Sequence, residues 1–374
     1  MMRKGRLVVA SSERCSDIYY ASGFHCPDPF IWFSVGREKG IIVSTLEFQR
    51  AQNETKNGVR VYNNNNFAPS GKPNPEKSEI LAELSRRYKV ELWETPGDFP
   101  LQYAESLLQA GVKAKCAKGE FFPGRCKKNK TEIEHIRKAQ SLTQQTMQKV
   151  ADALSATDVD NEGLLILNRK ILTSEMLRQE VEIELKKMGC TASRTIIACG
   201  VQGAEPHNQG TGPLRAKETI IVDIFPRCDS NGYWGDMTRT FVKGKAPARI
   251  KRAFEAVFEA KEKAREMAKA GVPASKLHEL AFKMLEQRKF PTGSKGERHF
   301  GFIHGLGHGV GLDIHESPRV SPLNSAFLEA GNVVTIEPGL YYPEWGGIRI
   351  EDLVVIKEDG CEPLNDPGAF LEIL

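Results

Sequence analysis

The richest chemistry in this sequence lies in the glycine-rich segment HGLGHGVGLDIHE, residues 304–316. It contains three of the chain's eight histidines, His304, His308 and His315. Glycines let a ligand or metal ion approach the backbone closely, and imidazoles act as metal ligands and proton carriers near neutral pH. The glycine spacing is not that of a dinucleotide-binding loop, and the segment has no helical H-E-x-x-H motif. Any metal site here therefore needs ligands from elsewhere in the chain.

Two candidate ligands are predicted on a first hairpin. Asp223 lies within the apolar run TIIVDIF, and Asp236 precedes the run MTRTF. Both runs are rich in β-branched and aromatic residues, and the turn-forming segment CDSNG separates them. We therefore predict two antiparallel strands that carry one aspartate each.

A second hairpin is predicted to carry two glutamates. Glu337 ends the run VVTIE, Glu351 ends the run GIRIE, and the chain-breaking segment 342–347 lies between them. Arg349 is two residues before Glu351, so both side chains point to the same face of a strand.

The four carboxylates indicate a metal centre. A carboxylate inside an apolar strand is costly to bury unless a cation or several donors compensate it. Four carboxylates and one imidazole supply too many oxygen ligands for a structural zinc site, which prefers cysteine and histidine. They suit two divalent ions that share bridging carboxylates, about 3.5–4 Å apart and able to activate water for hydrolysis.

The elements that must position these residues fall into two parts. We predict an α/β N-terminal domain, residues 1–125, with short strands at 7–10, 30–33 and 40–43, a helix at 78–88 and a polar loop at 62–67. An α+β domain, residues 126–374, follows. Its first helix is predicted to begin near Thr131, capped with Glu134, and further helices are predicted at 172–187, 248–270 and 275–287. The order helix pair, hairpin, helix pair, hairpin predicts two related halves with the site at their join.

At this level the chain resembles the M24 "pita-bread" metallopeptidases, the family of Xaa-Pro aminopeptidases, prolidases, methionine aminopeptidases and creatinase. The matching segments are PHN at 206–208, the two aspartate runs, the 304–316 segment, and the glutamate runs TIEPG and GIRIED. Residues 17–24 resemble, more weakly, a creatinase-type N-terminal domain. The resemblance implies a pita-bread catalytic domain with pseudo-two-fold halves, and a histidine at position 304 favours the proline-directed branch.

Carried over residue by residue, the resemblance implies five metal ligands: Asp223, Asp236, His308, Glu337 and Glu351. It implies two divalent ions per chain, with Mn²⁺ preferred and Co²⁺ or Zn²⁺ as alternatives. The step from the first aspartate to the second is 13 residues here, two more than is common in the family. We interpret the extra residues as a longer turn at 225–229, which preserves the facing of both strands.

The resemblance also implies catalytic roles. Glu337 would be both metal ligand and proton acceptor, and His207 and His315 would stabilise the oxyanion that forms on the scissile carbonyl. His304 would line the pocket for the proline side, and Arg349 would orient the ligands.

Composition excludes several other classes of protein. The 52 basic and 48 acidic residues are nearly balanced, which gives no case for nucleic-acid binding, and the basic run at 125–130 is interpreted as a solvated linker. No apolar window is long enough for a membrane span, and the N-terminal apolar run is too short for a signal peptide. Eight cysteines without a C-x-x-C pair favour a cytoplasmic protein with free thiols.

The sequence therefore predicts an Xaa-Pro aminopeptidase, which removes the first residue of a peptide that has proline second. A prolidase, which accepts only Xaa-Pro dipeptides, is the alternative, because both share one chemistry. A non-catalytic pita-bread binding protein is disfavoured, because such relatives lose metal ligands and this chain has all five. The resemblance further implies a homodimer.

Overall fold

The computed structural model describes residues 3–69, 73–366 and 368–374. The chain divides into two compact units, Met1–Pro123 and Gly124–Leu374, and each has its own hydrophobic core. Within the described ranges, no helix combines the length and apolar character that crossing a bilayer requires.

The first unit is a six-stranded mixed sheet with the strand order β4-β3-β2-β1-β5-β6. Its elements are β1 (Lys4–Ala10), α1 (Ser16–Ser22), β2 (Phe30–Val35), β3 (Glu38–Val43), α2 (Thr45–Glu54), β4 (Arg60–Asn63), α3 (Lys77–Tyr88), β5 (Leu92–Thr95), α4 (Leu101–Gln109) and β6 (Lys113–Cys116). Alternate residues of β1 enter different cores, Leu7 and Val9 on one face and Val8 on the other. Both faces of the sheet are therefore covered.

In this unit, three predicted strands and one predicted helix are confirmed, and one loop is wrong. Residues 62–67 end strand β4 and then form a 3-10 turn, Asn64–Phe67. The asparagines build this turn themselves, since the Asn63 side chain accepts a hydrogen bond from the Asn65 backbone N–H and the Asn66 side chain accepts one from the Asn63 backbone N–H. The polar side chains here cap backbone N–H groups of the 3-10 turn, so the segment is not an irregular loop.

The second unit contains four helices and the remaining strands among its described residues. The elements are α5 (Lys130–Ser155), β7 (Asp158–Val159), β8 (Leu165–Leu167), β9 (Lys170–Ile171), α6 (Ser174–Lys187), β10 (Cys190–Thr191), β11 (Ile196–Cys199), β12 (Ile220–Ile224), β13 (Arg227–Cys228), β14 (Met237–Lys243), α7 (Ala248–Met267), α8 (Ala274–Gln287), β15 (Gly293–Lys295), β16 (Arg298–Phe300), β17 (Gly307–Gly309), β18 (Glu316–Val320), β19 (Val333–Ile336), β20 (Gly339–Tyr342), β21 (Gly346–Arg349), β22 (Asp352–Ile356), β23 (Cys361–Pro363) and β24 (Glu372–Ile373).

The predicted alternation of helix pairs and hairpins is present. Helices α5 and α6 pack on the sheet β11-β12-β14-β24 and form one core with it. Helices α7 and α8 form a second core with the sheet β18-β17-β19-β22-β23. The strands of the two halves meet through hydrogen bonds from Glu351 N to Thr238 O, 3.1 Å, and from Arg349 N to Thr240 Oγ1, 3.0 Å. The two hairpins therefore face each other at the join.

Helix α5 begins one residue earlier than predicted, at Lys130, with Asn129 as the N-cap. The Asn129 side chain accepts from Glu132 N, 3.0 Å, and the Glu132 carboxylate accepts from Asn129 N, 2.8 Å. The predicted cap by Thr131 and Glu134 is therefore wrong. Asparagine is among the strongest N-cap residues, and the same capping box is satisfied two residues upstream.

Both hairpins are longer than simple strand–turn–strand units. Between β12 and β14, residues Arg227 and Cys228 form the short strand β13 against β10, so the predicted turn at 225–229 contains paired backbone. Between β19 and β22, the chain forms a further hairpin, β20 with β21. Each insertion lies between two site residues in sequence, yet β12 still pairs with β14 and β19 with β22.

The basic run at 125–130 is not a solvated linker. The Lys128 side chain is 2% exposed and that of Arg125 is 13% exposed, and both pair with the carboxylate of Glu316. Charge density alone predicted exposure, but these two cations have an acidic partner far away in sequence that compensates their burial.

A buried ion pair attaches α7 to β22. The Lys261 ammonium group contacts the Asp352 carboxylate, and both side chains are 0% exposed. Arg239 Nη2 donates to the second Asp352 oxygen, 2.8 Å, and Asn365 Nδ2 donates to the same atom, 2.8 Å. Asp352 thus holds helix, strand and C-terminal segment together, directly beside Glu351.

We expect the substitution Lys261→Met to lower the free energy of unfolding by about 3 kcal/mol or more, because it leaves a buried carboxylate short of one cation. Urea denaturation followed by circular dichroism measures this loss. The matched control is Lys263→Met, whose side chain is 50% exposed in a surface pair with Glu266 and which should change stability by no more than about 0.5 kcal/mol. Equal effects of the two substitutions would contradict the interpretation.

Candidate functional site

Five predicted ligand residues converge where the two halves of the second unit meet. Each lies on or next to a strand: Asp223 in β12, Asp236 directly before β14, His308 in the middle of β17, Glu337 directly after β19, and Glu351 directly before β22. Four of the side chains are buried, with exposed fractions of 8% or less for Asp223, Asp236, His308 and Glu351. Strand ends thus bring distant residues to one place.

Asp236, His308 and Glu351 each offer a ligand atom within 4.8 Å of the others, so they could share one metal ion. His308 Nε2 lies 3.3 Å from Glu337 Oε1 and 3.7 Å from Asp236 Oδ2. The other ring nitrogen, Nδ1, is 3.2 Å from Gly309 O. Since a carbonyl oxygen only accepts, Nδ1 carries a proton, and Nε2 is the ring nitrogen that faces the carboxylates.

The glycines around His308 make room for protein backbone. A Cβ on Gly307 would lie 2.0 Å from Thr335 O, and one on Gly309 would lie 2.4 Å from Ser317 O. Strand β17 is pressed between β18 and β19 in this sheet. At these two positions, close strand packing, and not ligand approach, requires glycine.

Neutral side chains hold the carboxylates in place. Thr238 Oγ1 donates to Glu351 Oε2, 2.7 Å, and Thr335 Oγ1 donates to Glu337 Oε1, 3.2 Å. Gln140 of α5 accepts from Asp236 N, 2.7 Å, and donates to Asp236 O, 2.8 Å. The neighbouring Gly235 lies against the same helix, because a Cβ there would be 2.8 Å from the Ala139 carbonyl group.

Arg349 is the principal fixed cation of the site. Its Nη2 donates to Asp223 Oδ2, 2.7 Å, and its Nε donates to Thr238 Oγ1, 3.2 Å. Its Nη1 donates to Pro206 O, 3.2 Å, and to the Tyr341 hydroxyl, 2.9 Å. Arg349 therefore connects one candidate ligand with the segment that carries His207.

Tyr341 continues this connection to His304. The tyrosine is fully buried, and its hydroxyl is 2.9 Å from His304 Nε2, while His304 Nδ1 is 2.7 Å from Gly305 O. Because Nδ1 must donate to the carbonyl, neutral His304 accepts a hydrogen bond from the Tyr341 hydroxyl at Nε2. Tyr341 therefore links Arg349 to His304.

His207 and His315 are both exposed. The His315 ring stands edge-on to that of His308, with ring centroids 4.4 Å apart. His207 is close enough to influence the pKa of both His304 and His315. His304 and His315 also lie near Glu337, so the three predicted catalytic histidines are close to the carboxylate cluster.

Crowded negative charge dominates the electrostatics. Burial, followed by the charges of Glu351, Asp223 and Glu337, raises the pKa of Asp236 well above its usual range. Burial and the charges of Glu337 and Asp223 likewise raise the pKa of Glu351. With protein groups alone, these two carboxyls resist ionisation.

Glu337 and the histidines shift the other way. Burial opposes ionisation of Glu337, but the hydrogen-bonding contact with His308 and the positive charge of Arg349 outweigh it and lower its pKa to about 2. Burial lowers the pKa of His304. Partial burial of the ring, together with the nearby His308 and Arg319, lowers the pKa of His315 to about 4. Glu337 is therefore ionised and His304 and His315 are neutral at pH 7.

The donor set fits divalent cations. Asp223 Oδ1 is buried and lacks a hydrogen-bond partner in the described structure, although its second oxygen is paired with Arg349. An orphaned carboxylate oxygen, two carboxyls whose ionisation is suppressed by burial and like charge, and an imidazole nitrogen that faces carboxylates all gain from a cation. The oxygen-rich set suits hard or borderline ions and not a thiolate-preferring metal.

The nine predicted positions lie in one neighbourhood of the second unit, and their ligand and catalytic roles remain predictions. Sequence reasoning missed four supporting residues: Gln140, Thr238, Thr335 and Tyr341. The two threonines alternate with site residues along their strands, a spacing that could have indicated them. Gln140 had no local signal, because its partner lies on another element.

Comparison with known proteins agrees with this geometry. The model of metallopeptidase family M24 matches residues 134–358. An Xaa-Pro dipeptidase of Pyrococcus furiosus is 34% identical over 241 residues, 64% of this chain and 62% of the relative. The solved prolidase from Pyrococcus furiosus is 28% identical, with a TM-score of 0.78, and the match covers 96% of this chain and 95% of that one. An X-Pro aminopeptidase from Thermotoga maritima shares the fold at 24% identity, with a TM-score of 0.82 over 100% of this chain and 98% of the other.

In the sequence alignment the chain spans 62% of the length of its Pyrococcus furiosus relative. The matched family region contains every candidate ligand and catalytic residue named above, and the solved structures match along almost the whole chain. The predicted fold class is confirmed: an α/β N-terminal domain and a pita-bread domain with helix-pair and hairpin halves. The chain belongs to metallopeptidase family M24.

Proposed function

We propose that this protein is a prolidase, which hydrolyses the Xaa–Pro bond of dipeptides with the help of two divalent metal ions. The observation that carries the proposal is the convergence of four carboxylates and the Nε2 atom of His308 at the join of the two halves. Relatives named Xaa-Pro dipeptidase and prolidase support the dipeptide substrate, which the sequence had placed second to the aminopeptidase. We assign the activity to residues 126–374.

Asp223, Asp236, His308, Glu337 and Glu351 would hold the ions. Bound divalent ions supply a water nucleophile that loses its proton near neutral pH and an electrophile for the scissile carbonyl. Mn²⁺ is the proposed metal because four of the five ligands are carboxylates, with Co²⁺ and Zn²⁺ as alternatives.

The chain's own groups would perform the proton transfers. Glu337, with its pKa lowered to about 2, is ionised and can accept a proton from the attacking water. The leaving nitrogen of an Xaa–Pro bond is tertiary and must be protonated before it departs. The carboxyl group of Glu337, once it has taken up a proton, or a neighbouring imidazole would deliver it.

The histidines would act on the carbonyl and the proline ring. His207 and His315 would donate hydrogen bonds to the oxygen that gains charge in the transition state. His304, held by Tyr341 and Gly305 O, would line the proline side of the pocket. Arg349 would hold Asp223 and, through Pro206 O, the segment of His207.

An Xaa-Pro aminopeptidase is the second candidate. It is favoured by the Thermotoga maritima X-Pro aminopeptidase, whose fold matches this chain along its full length. Both candidates use the same ligands and proton acceptor, and they differ in whether the pocket admits a chain beyond the proline. A non-catalytic role has no comparable support, because all five ligand residues are present.

We also propose a cytoplasmic location and a homodimer. The eight cysteines are free thiols, as is usual in a reducing compartment. The homodimer rests on family resemblance, and its partner would be a second copy of this chain.

The wild-type protein should bind about two divalent ions per chain, measured by elemental analysis after equilibration with micromolar Mn²⁺. His308→Ala should lose metal and lower kcat by more than about 100-fold, since even outer partners of ligands cost 10–100-fold. His299→Ala is the matched control, because this histidine is exposed on β16 and should leave both quantities unchanged. A wild-type protein that retains no metal would exclude a metallopeptidase.

A substrate panel with added Mn²⁺ separates the candidates. We expect hydrolysis of Ala-Pro and at least about 10-fold lower kcat/KM for Ala-Pro-Ala, a difference of about 1.4 kcal/mol in transition-state binding. Met-Ala-Ala should not be cleaved, because the pocket is proposed to require proline at the second position. Equal or faster cleavage of Ala-Pro-Ala would select the aminopeptidase, and cleavage of Met-Ala-Ala alone would refute both.

Metal binding should release protons. The raised pKa values of Asp236 and Glu351 mean that these carboxyls hold protons to a higher pH than ordinary carboxyls do, and the ions must displace those protons. The apparent affinity for Mn²⁺ should therefore fall as the pH is lowered. Calorimetry in two buffers of different ionisation enthalpy measures the protons released. Glu351→Gln should release fewer protons, and a binding enthalpy independent of buffer would contradict this picture.

A further inference from the structure

The carboxylate of Glu316 occupies a closed, positively charged setting next to the exposed His315. Its side chain is 8% exposed. Arg125 Nη2 donates to Glu316 Oε2, 2.7 Å, and Lys128 Nζ lies 2.6 Å from Glu316 Oε1. The same Arg125 nitrogen also donates to Asp313 Oδ2, 2.7 Å. Two cations from a segment almost 190 residues away thus fix the two acidic residues that flank His315 in sequence.

The backbone of the loop is shaped around this carboxylate. A Cβ on Gly311 would lie 2.3 Å from Glu316 Oε1, so only glycine leaves space for it. Gly311 N donates to Asp313 O, 3.1 Å, and Asp313 N points to Glu316 Oε2 at 3.4 Å. The loop from 311 to 316 is therefore folded over the Glu316 side chain, with the His315 ring left outside.

The cationic segment is itself attached to the strand that leads to Glu337. Lys128 N donates to Gly331 O, 2.8 Å, and Asn332 Nδ2 donates to Cys126 O, 2.9 Å. Residues 331 and 332 directly precede β19, whose next residue after its end is Glu337. Residues 125–128 thus connect the base of β19 to the loop of His315.

We propose that Arg125 and Lys128 are positioning residues, which hold Glu316 so that the His315 ring stays beside His308 and faces the substrate. The proposal rests on the proposed function in one respect, namely that His315 acts on the scissile carbonyl. The exposed His315 ring packs edge-on against His308, and keeping it there depends on the backbone that Glu316 anchors. A displacement of about 1 Å in a positioned group can cost about 100-fold in rate.

Trp234 attaches the same loop at its other end, so the loop can stay folded when the cations no longer orient His315. Trp234 N donates to Gly311 O, 3.0 Å, and Trp234 Nε1 donates to Leu312 O, 3.0 Å. These bonds fix the beginning of the loop without Arg125. The end of the loop, at His315 and Glu316, is held by the two cations together with the backbone pairing of Glu316 and Gly309. Loss of Arg125 should therefore loosen the histidine end, where the Glu316 side chain loses a partner, while the other end keeps both of its hydrogen bonds.

The test compares Arg125→Ala, Arg125→Lys and Lys127→Ala, each in the wild-type and in the His315→Ala background. Lys127 is the matched control, since it belongs to the same segment but is 61% exposed and lies 3.8 Å from an exposed glutamate. Steady-state hydrolysis of Ala-Pro gives kcat and KM, and elemental analysis gives the metal content.

Arg125→Ala should lower kcat by about 10- to 100-fold with KM changed less than about twofold and the metal content unchanged. Arg125→Lys should recover part of the loss, and Lys127→Ala should show none. In the His315→Ala background, Arg125→Ala should have no further effect, because a residue that acts through His315 is not additive with it. An equal loss in both backgrounds would assign Arg125 to general stability and overturn the proposal.

A measurement without substrate keeps the two proposals separate. With only eight histidines, nitrogen-15 labelling of the rings gives a simple NMR spectrum, in which His315→Ala identifies the His315 signals. Arg125→Ala should shift or broaden those signals, and Lys127→Ala should leave them unchanged. Unchanged His315 signals in Arg125→Ala would overturn the positioning role, even in an active enzyme. A wild-type protein without Ala-Pro hydrolysis would refute the prolidase, while the ring signals would still decide the positioning.

Discussion

The central constraint in this molecule is the repulsion among carboxylates that the fold buries together. Asp223, Asp236, Glu337 and Glu351 reach one place from four strands, and burial together with their mutual repulsion raises the pKa of Asp236 and of Glu351. Most of the surrounding polar contacts offset this repulsion. Arg349 pairs with Asp223. Thr238 donates a hydrogen bond to Glu351, Thr335 donates one to Glu337, and His308 contacts Glu337. The negative charge that these contacts leave uncompensated favours the binding of cations. This agrees with the chain's membership of a metallopeptidase family.

The sequence predicted well those features that depend on local periodicity. Runs of β-branched residues around Asp223 and before Glu337 indicated paired strands, and the structure pairs β12 with β14 and β19 with β22. The helix pairs were predictable because their apolar residues recur at helical spacing. The four carboxylates were predictable for a different reason: an acidic residue inside an apolar strand needs a partner. His308 was added through the family resemblance.

Features that depend on distant contacts were not predictable. The basic run with Arg125 and Lys128 had the composition of an exposed linker, and only Glu316, far along the chain, explains its burial. Gly307 and Gly309 were interpreted as space for a ligand, but they admit neighbouring strands. Tyr341 had no signal for its place between Arg349 and His304. The cap of α5 was missed by two residues, because two overlapping capping boxes compete in the sequence and only one matches the helix start.

The double hydrogen bond between Gln140 and the backbone of Asp236 sets a limit on how this protein can diverge in length. One residue inserted into α5 ahead of Gln140 would rotate the amide by about 100° around the helix axis, away from Asp236 and from the close contact at Gly235. Insertions in the connection between α5 and α6 leave that angle unaltered. Length variation among natural or engineered versions should therefore accumulate in the loops, while the buried half of this helix keeps a fixed residue count.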